Sequence, residues 1–596
     1  MYFKLYNTIS KTSEPFVPND PTSITFYSCG PTVYDDAHIG NFRSFLAADL
    51  LRRWIESPLC TLKIGRTPDA ETQAETHAGP RKVTHVMNIT DVGHMTEDTN
   101  ADGGGQDKME LAAQRLKQAQ TESKKDGSVH KAADIDPTDP RAIARFYEQR
   151  FKEDAIALGL KVAIEAQSDE SLMPRASDFI KEMQTVIVEL LENGHAYTAG
   201  APGSRAIYFN TQTFPNYGKL SGNTLDHLKG GAGGRVDDAQ QSEKKHPADF
   251  LLWKEDPSHK MKWDAPNHPD CADWQQGYPG WHIECTAMAL ARLVPGGLNA
   301  ARANHSTIDL HSGGEDNIFP HHECEIAQSC CFTDPDNPDQ SFANHWFHAR
   351  FLKVEGEKMS KSKGTMYTLR DLTDKGIDPA AVRLELIKTH YRANADFSMQ
   401  GLKDSARRID IWRNDVKRMM LALDNPSFHI NFQRFNWLHE FPESLSDDLN
   451  IAKAISIFER SRHSSVPDDA ENYERFKVAA EKMHLPEHPM NAQDAYELFI
   501  DQTKSDTERS LAATHLIDNI LGVIFRPIEK GQDTGIALYQ PGVTPSPEIE
   551  SLLQQRADAK KSKDFATADT IRDQLAAMNL SIMDKPGGKV EVAPAN

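Results

Sequence analysis

Residues 22–56 read TSITFYSCGPTVYDDAHIGNFRSFLAADLLRRWIE, and this stretch decides the fold. A β-prone run at 24–27 ends at the turn residues 29–31, and apolar side chains then recur at helical spacing from Phe42 to Trp54. A second apolar run, 83–89, stops at a Thr-Asp pair. A strand, a turn, a helix and a second strand in this order predict the beginning of an α/β sheet.

Length and composition indicate a globular chain of several domains. With 596 residues the chain is too long for one hydrophobic core, and we expect three or four domains. Hydrophobic residues make up 39%, yet no apolar run approaches the roughly 18 residues that span a bilayer. The first residues, MYFKLYNTISK, lack a secretory pattern, which predicts a cytoplasmic protein without a membrane partner. Seven cysteines are too few for a disulfide scaffold.

The charge balance restricts the kinds of nucleic-acid binding that are expected. There are 67 basic and 87 acidic residues, a net charge of −20, which argues against broad, nonspecific binding to nucleic acid. A local basic surface is still compatible with this balance. Arg407, Arg408 and Arg413 with Lys560, Lys561 and Lys563 form either a phosphate track or merely solvated helix faces.

The rest of the chain divides by composition. Residues 141–195 have helical patterns, 205–255 mix short strands with glycine-rich turns, and helical patterns return from Asp378-Pro379 to about residue 525. Residues 64–82 and 98–107 indicate solvated loops. Residues 526–548, with four prolines and three glycines, indicate a linker before a last small segment.

Four potential metal ligands are scattered along the sequence. His321 and Glu325 are four residues apart, which on a helix places both on one face. With Cys29 and Cys285 they would suffice for a tetrahedral zinc site. Because the pieces lie far apart, spacing alone favours the simpler interpretation of two buried thiols and two surface-helix residues.

Two short motifs suit phosphate binding. HIGN at 38–41 would open a helix, and a helix N-terminus attracts phosphate. KMSKS at 358–362 presents two lysines three apart, suited to a highly charged phosphate chain. Each alone has a bland alternative, a turn or a solvated basic loop, but together they are a strong signal.

Seven segments of the sequence, taken together, resemble those of one known family. The sequence resembles the class I aminoacyl-tRNA synthetases, and among them the cysteinyl-tRNA synthetases, over most of its length. The segments occur in the family's order: CGPTVYDDAHIGN (29–41), NITD (88–91), GHAY (194–197), PGWHIECTAM (279–288), DLHSGGEDNIFPHHECEIA (309–327), KMSKSKGT (358–365) and YRANADFS (391–398).

The resemblance implies the site residues. One Zn²⁺ per subunit is expected on Cys29, Cys285, His321 and Glu325, and Mg²⁺ with ATP. The cysteine pocket is expected to include Thr32, Thr90, Trp281 and His311. His38 and Asn41 are expected to hold phosphate or ribose, Lys361 assisted by Lys358 to stabilise pyrophosphate, and Asp316, with less weight, to contact the adenosine or the amino group. His322 and Glu323 either support the zinc ligands or lie on the surface, and Cys324 is expected to be a packing residue.

The resemblance also implies reaction, partners and domains. The expected partners are tRNA(Cys), ATP and L-cysteine. The protein itself is expected to be a monomer. The expected fold is α/β: a Rossmann-type parallel-sheet nucleotide-binding domain (1–140 and 271–350, the second half holding zinc) split by an insertion domain (141–270). A KMSKS linker region (351–378), a tRNA-binding α-helical bundle (379–525) and a small C-terminal anticodon-side module (549–596) complete it.

Two alternative functions stay open, and the sequence differs from the family pattern in two places. A ligase that joins cysteine to an amino sugar would share the motifs and the zinc set without needing a tRNA-binding tail, and a second alternative is a catalytically inactive tRNA-binding paralogue. The first motif has Asn41 where the family also has His. The chain ends with GKVEV instead of the family's usual aromatic residue, so a base-stacking contact to the anticodon is either missing or supplied elsewhere.

Overall fold

The computed structural model describes most of the chain, in two compact units. These comprise residues 1–120 with 131–525, and residues 121–130 with 526–596. Among the described helices, none combines the length and apolar composition that crossing a membrane requires. The described residues are 2–64, 76–93, 108–126, 135–223, 225, 243–337, 342–359, 364–424, 437–462, 485–486, 489–525, 537–539, 546–562, 564–578, 580–584 and 590–594.

The chain opens with a hairpin and the predicted strand, helix and strand. The helix begins directly after His38, and its apolar stripe from Phe42 to Trp54 is buried. The predicted loop at 64–82 contains a short strand, and 65–75 and 98–107 lie outside the described residues. The elements are β1 (Lys4–Asn7), β2 (Thr12–Pro15), β3 (Ser23–Ser28), α1 (Ile39–Glu56), β4 (Leu62–Lys63), β5 (Thr76–His77) and β6 (Lys82–Met87).

An inserted region separates this half of the sheet from the next. Its helices between Pro140 and Glu192 fall where helical spacing predicted them, whereas the helix Lys108–Asp126 was not predicted. Its strands form an antiparallel sheet in the order β10-β9-β8-β7. The glycine-rich segment 230–234 lies outside the described residues. The elements are α2 (Lys108–Asp126), α3 (Pro140–Ala157), α4 (Lys161–Glu165), α5 (Ile180–Glu192), β7 (Ala196–Ala199), β8 (Ala206–Phe209), β9 (Phe250–Glu255) and β10 (Gly277–Pro279).

The second half of the sheet follows and completes a parallel four-stranded core. The strands lie in the order β12-β11-β3-β6, and all neighbours pair parallel. Ligands of such sheets bind beyond the carboxyl ends of the strands. The added elements are α6 (Trp281–Leu293), α7 (Gly297–Ala303), β11 (Ile308–Gly314), α8 (Glu323–Thr333) and β12 (Ala343–Ala349).

β3 divides the interior into two cores because successive strand side chains point to opposite faces. Ile24 and Phe26 pack into the core that contains the apolar stripe of α1. Tyr27 and Cys29 belong to the other core, with Cys285 of α6. The first cysteine of the sequence therefore emerges from the sheet on the face that α6 covers.

After the sheet, a small three-stranded sheet contains Lys358, the first residue of the second phosphate motif. Its central strand, β13, pairs antiparallel with β14 and parallel with β15. Asp378 caps the next helix through the amide of Ala380, as the Asp-Pro pair predicts. The elements are β13 (Leu352–Val354), β14 (Glu357–Lys358), α9 (Leu369–Thr373), α10 (Pro379–Ile387) and β15 (Ala395–Phe397).

α10 and five further described helices form the predicted α-helical region 379–525, and one arginine there corrects an expectation. Arg413 was expected either on a phosphate track or on a solvated helix face, but it is buried, and its guanidinium donates to the carbonyls of Val523 and Ile524 and to Asp378. It holds the end of the helical region instead of facing solvent. The helices are α11 (Met399–Asp424), α12 (Trp437–Ser446), α13 (Ile451–Arg462), α14 (Ala492–Ile500) and α15 (Asp506–Leu521).

The described part of residues 526–596, in the second unit, has two helices and a three-stranded sheet in the order β16-β18-β17. The interpretation of 526–548 as only a linker is wrong at 537–539, because these residues form a strand that pairs parallel with β18. Lys560 and Lys561 are exposed, and Lys563 lies outside the described residues. The elements are β16 (Ala537–Tyr539), α16 (Pro547–Lys561), α17 (Phe565–Ala577), β17 (Leu580–Asp584) and β18 (Val590–Pro594).

Candidate metal centre and nucleotide site

The four potential metal ligands meet beyond the carboxyl end of β3. Cys29 follows that strand, and Cys285 lies in the second turn of α6. His321 lies in the turn before α8, and Glu325 lies in the first turn of α8. All four side chains are buried. The fold thus brings together residues that are up to 296 positions apart in the sequence.

Three of the separations among their ligand atoms match those around one small cation. The sulfurs of Cys29 and Cys285 are 3.7 Å apart. Cys29 Sγ lies 3.6 Å from Glu325 Oε1, and Cys285 Sγ lies 3.6 Å from His321 Nε2. Tetrahedral zinc, with bonds of about 2.3 Å to sulfur and about 2.1 Å to nitrogen or oxygen, sets ligand atoms about 3.4–3.8 Å apart. His321 Nε2 and Glu325 Oε1 are closer, at 2.9 Å, as in a hydrogen bond.

His322 is a fifth candidate that the sequence left open. Its Nε2 lies 3.2 Å from Cys29 Sγ, and its ring is fully buried. Cys29, His321, His322 and Glu325 hold ligand atoms that all lie within 4.8 Å of one another. A surface role for His322 is therefore wrong. Glu323 is buried too, and accepts hydrogen bonds from the amides of Gly218 and Ser221.

The buried cluster brings together ionisable side chains that shift one another's pKa values. Burial raises the pKa of the Cys29 thiol, and neighbouring Cys285 and Glu325 raise it further. Burial opposes ionisation of Glu325 also, but His311 and His321 hold the pKa of this carboxyl well below its usual range. Burial likewise disfavours the charged form of His321, yet Glu325 and Cys285 raise its pKa to about 10. A dication would supply the positive charge that these donors favour.

Aromatic and imidazole rings surround the cluster and fix its members. His311 Nε2 lies 2.7 Å from Glu325 Oε2, and the His311 ring stacks on Trp346. Trp281 stacks on His321 with the ring centroids 4.1 Å apart. The two predicted pocket residues, Trp281 and His311, therefore flank the cluster from different sides. Metal-binding histidines and carboxylates are commonly oriented by such partners.

Cys324 has the packing position that its place in the sequence predicts. Its thiol is fully buried and lies 3.5 Å from the hydroxyl of Tyr217. Burial raises its pKa well above the usual value. Although it lies between His321 and Glu325 in the sequence, it faces a different part of the core.

The predicted phosphate motif at 38–41 forms a reciprocal cap on α1. The amide of Asn41 donates to His38 Nδ1, and the amide of His38 donates to Asn41 Oδ1. The amide of Ile39 donates to the carbonyl of Tyr367. These bonds explain why asparagine suits the fourth position, since it satisfies the helix start. They also leave side chains, instead of these amides, to meet phosphate.

The first two residues of the second phosphate motif, Lys358 and Met359, are described, and Met359 lies against the first motif. Lys358, on β14, is exposed, while Lys361 lies outside the described residues. Met359 packs on Gly40, where a Cβ atom would overlap the methionine methyl group. A bridge between His38 and Thr368 brings the chain after the motif back to the same helix start. Asp316 is exposed beside Gly314.

Two threonines predicted in the cysteine pocket lie side by side. Thr32 and Thr90 form an isolated parallel bridge, and the amide of Thr90 donates to the carbonyl of Pro31. Asn88 and Glu284 bond to this region through buried side chains, and the sequence analysis assigned neither of them a role. The available signal was a polar residue inside an apolar run, which marks a buried hydrogen bond.

Two family models match the chain in separate ranges. Residues 15–64 and 76–407 match tRNA synthetases class I (C) catalytic domain. Residues 545–591 match Cysteinyl-tRNA ligase anticodon binding domain.

Curated relatives match along nearly the whole length. A cysteine--tRNA ligase of Salinibacter ruber is 34% identical over 98% of this chain and 97% of its own. Those of Chlorobaculum tepidum and Thermus thermophilus are 32% identical, each over 98% of this chain, and over 97% and 98% of their own lengths. Among solved structures, a Mycobacterium tuberculosis methionyl-tRNA synthetase with methionyl-adenylate is 12% identical, with a TM-score of 0.45, covering 92% of this chain and 96% of its own.

Proposed function

The chain belongs to the cysteine--tRNA ligase family of class I tRNA synthetases, and we propose that it joins L-cysteine to the 3′ end of tRNA(Cys) in two ATP-dependent steps. The cysteine carboxylate attacks the α-phosphate of ATP and releases pyrophosphate. The terminal ribose hydroxyl of the tRNA then takes the cysteinyl group from the adenylate. The observation that carries the proposal is the full-length family match together with the buried cluster of thiols, imidazole and carboxylate.

The metal of this proposal is zinc, held by Cys29, Cys285, His321 and Glu325. The donor set supports zinc over magnesium, because thiolate and imidazole are poor ligands for hard cations. When bound there, zinc supplies a Lewis acid that prefers a thiolate to the neutral hydroxyl of serine. Trp281 and His311 hold His321 and Glu325 in place and form walls of the cysteine pocket, with Thr32 and Thr90 nearby.

The nucleotide steps rest on positioning and charge. His38 and Asn41 hold phosphate or ribose groups, and Lys358 with Lys361 stabilises the departing pyrophosphate. The contact between Met359 and Gly40 supports this assignment, because it brings the two motifs to one place. Asp316 contacts the adenosine or the amino group of the substrate. Mg²⁺ accompanies ATP, and fixed charges around the phosphates lower the barrier without covalent chemistry by the protein.

The anticodon-domain match argues against the first alternative. A ligase acting on an amino sugar needs no such domain, and this chain has one at 545–591. We place the reaction with the tRNA pool of the cytoplasm. The exposed Phe565 and the lysines at the end of α16 support tRNA contact by the second unit, since exposed aromatic rings stack on unpaired bases.

The test is the transfer of radiolabelled cysteine to total tRNA with ATP and Mg²⁺, beside a matched serine reaction. Charging with cysteine and not with serine is the expected result. Cysteine-dependent pyrophosphate exchange without charged tRNA would favour the amino-sugar ligase. Absence of both exchange and charging would favour the inactive paralogue.

A further inference from the structure

A series of hydrogen bonds connects the residue that follows Cys29 to the residue that precedes Cys285. The amide of Gly30 donates to Asn88 Oδ1 at 2.8 Å. Asn88 Nδ2 donates to Thr90 Oγ1 at 3.0 Å, and Thr90 Oγ1 donates to Glu284 Oε2 at 3.0 Å. The side chains of Asn88, Thr90 and Glu284 are buried, Glu284 completely.

Each end of this series is adjacent to one thiol. Gly30 directly follows Cys29, and Glu284 directly precedes Cys285. In the middle, Asn88 Oδ1 lies 3.9 Å from Cys285 Sγ. The hydrogen bonds therefore cross from the end of β3, through the segment after β6, to the first turn of α6. These are the elements that set the distance between the two sulfurs.

The direction of every bond in the series is fixed. A backbone amide can only donate, so the amide of Gly30 makes Asn88 Oδ1 the acceptor of the first bond. Asn88 Nδ2 then donates to Thr90 Oγ1, and the hydroxyl of Thr90 donates to Glu284 Oε2. Gly30 leaves room for the approach, since a Cβ atom there would overlap the backbone carbonyl of Asn88. Glu284 accepts the last of these bonds, so replacing it by a residue without an acceptor removes the partner of the Thr90 hydroxyl.

We propose that Asn88, Thr90 and Glu284 are positioning residues of the metal site, which hold Cys29 and Cys285 at the sulfur separation that zinc requires. The inference rests on the proposed function, because it needs the cluster to bind zinc. Glu284 touches no reacting atom in this scheme; it acts through Thr90 and through the backbone of α6. Residues that orient metal ligands typically contribute about 10- to 100-fold to metal affinity.

The inserted region offers a matched control. Thr211 Oγ1 donates to Asp249 Oδ1 at 2.8 Å, and both residues are fully buried. This pair has the same chemistry as Thr90 and Glu284 but belongs to the segment between β8 and β9. Substitutions there report the cost of losing a buried hydroxyl–carboxylate bond without touching the thiols.

The experiment compares Glu284→Ala, Glu284→Gln and Thr90→Val with Thr211→Val and Asp249→Asn in the full-length protein. Zinc affinity is measured by competition with a chromophoric chelator, and Co²⁺ is substituted to record the thiolate-to-metal absorption band. We expect Glu284→Ala and Thr90→Val to weaken zinc binding about 10- to 100-fold and to shift the band. Glu284→Gln retains an acceptor for Thr90 and should restore most of the affinity. Both controls should bind zinc as the unmodified protein does.

Three results would overturn the inference. The first is wild-type zinc affinity and an unshifted cobalt band in Glu284→Ala. The second is an equal loss in Thr211→Val, which would point to general destabilisation, checked by the melting temperature of each variant. The third is the absence of zinc binding in the unmodified protein, which would remove the proposed metal site as well. Charging by the unmodified protein with an unaffected Glu284→Ala would remove only this inference.

Discussion

The amino-acid side and the nucleotide side of the site are built differently. Around the thiols every candidate ligand is buried, and His311 and Trp281 hold two of them through further contacts. At the nucleotide side, Asn41 and Lys358 are exposed. Discriminating cysteine from serine requires a preset geometry, because the two side chains have nearly the same shape. A phosphate chain carries enough charge to be held by exposed groups.

The largest effect is expected from Cys285→Ser. Removing one thiolate should lower zinc affinity by more than the roughly 100-fold upper range for an outer partner, and cysteine-dependent ATP–pyrophosphate exchange should fall with it. Equilibrium dialysis with zinc and the exchange assay measure both. Cys324→Ser is the matched control, because that buried thiol contacts Tyr217 and not the cluster.

The same pair of measurements separates the two possible ligand sets. If Cys285→Ser keeps its zinc while His322→Gln loses it, the ligands are Cys29, His321, His322 and Glu325, the set whose donor atoms lie within 4.8 Å. The amino-acid side of the site would still be the buried one, but Cys285 would then lie beside the metal without binding it.

Lys358→Ala tests the other region, with the next largest effect. Loss of one ammonium near the departing pyrophosphate should lower kcat of ATP–pyrophosphate exchange about 10- to 100-fold. Because the charge acts on phosphate, zinc affinity and KM for cysteine should not change. Lys353→Ala is the control, since Lys353 pairs with Lys358 across β13 and β14 and is equally exposed. A rise in KM for cysteine would contradict the separation of the two regions.

The contrast also explains what the sequence could predict. The first strand, helix and strand follow from local patterns at 22–56 and 83–89, and the structure has them. His321 and Glu325 share one helical spacing, and their side chains do meet. Cys29 and Cys285 could be joined to them only through resemblance, because no local pattern specifies which strand ends lie together. The resemblance also supplied the family, the fold class and the function.

Other residues were missed or misassigned for the same reason. Glu284 lies in an apolar helix where only the folded structure reveals Thr90 opposite it. Arg413 resembled a surface cation because helical spacing does not show that Val523 and Ile524 cover it. Long-range packing decides both cases, and single-sequence patterns do not contain it.

A smaller effect is expected from reversing the charge of Lys560, Lys561 and Lys563. If they contact tRNA phosphates, KM for tRNA should rise about tenfold and the salt dependence of binding should flatten by about two to three units. Exchange without tRNA should be unaffected, because these residues belong to the second unit. Unchanged binding with an unchanged salt slope would assign the lysines to a solvated helix face. Simultaneous reversal of the exposed Lys11, Lys181 and Lys375 of the first unit makes the same change in net charge and serves as the control.

The smallest effect is expected from Asn41→Ala. Losing the reciprocal cap of α1 should lower the melting temperature by roughly 1–3 °C. Exchange should fall only severalfold if Asn41 also meets the nucleotide. Glu508→Ala removes the equivalent partner of Ser505 at the start of α15 and should give a similar melting shift with full exchange. Equal activity in both variants would leave Asn41 with capping alone.

The contact between Gly40 and Met359 has a consequence for how the two motifs vary. Position 40 requires glycine because there is no space for a larger side chain, and not because the backbone there has an unusual conformation. The side chain of Met359 in the second motif fills that space. The side chains at positions 40 and 359 therefore compete for one space, although the two positions lie far apart in the sequence. A side chain gained at the first position should be accompanied by a shorter one at the second, so the pair should co-vary through evolution as a unit.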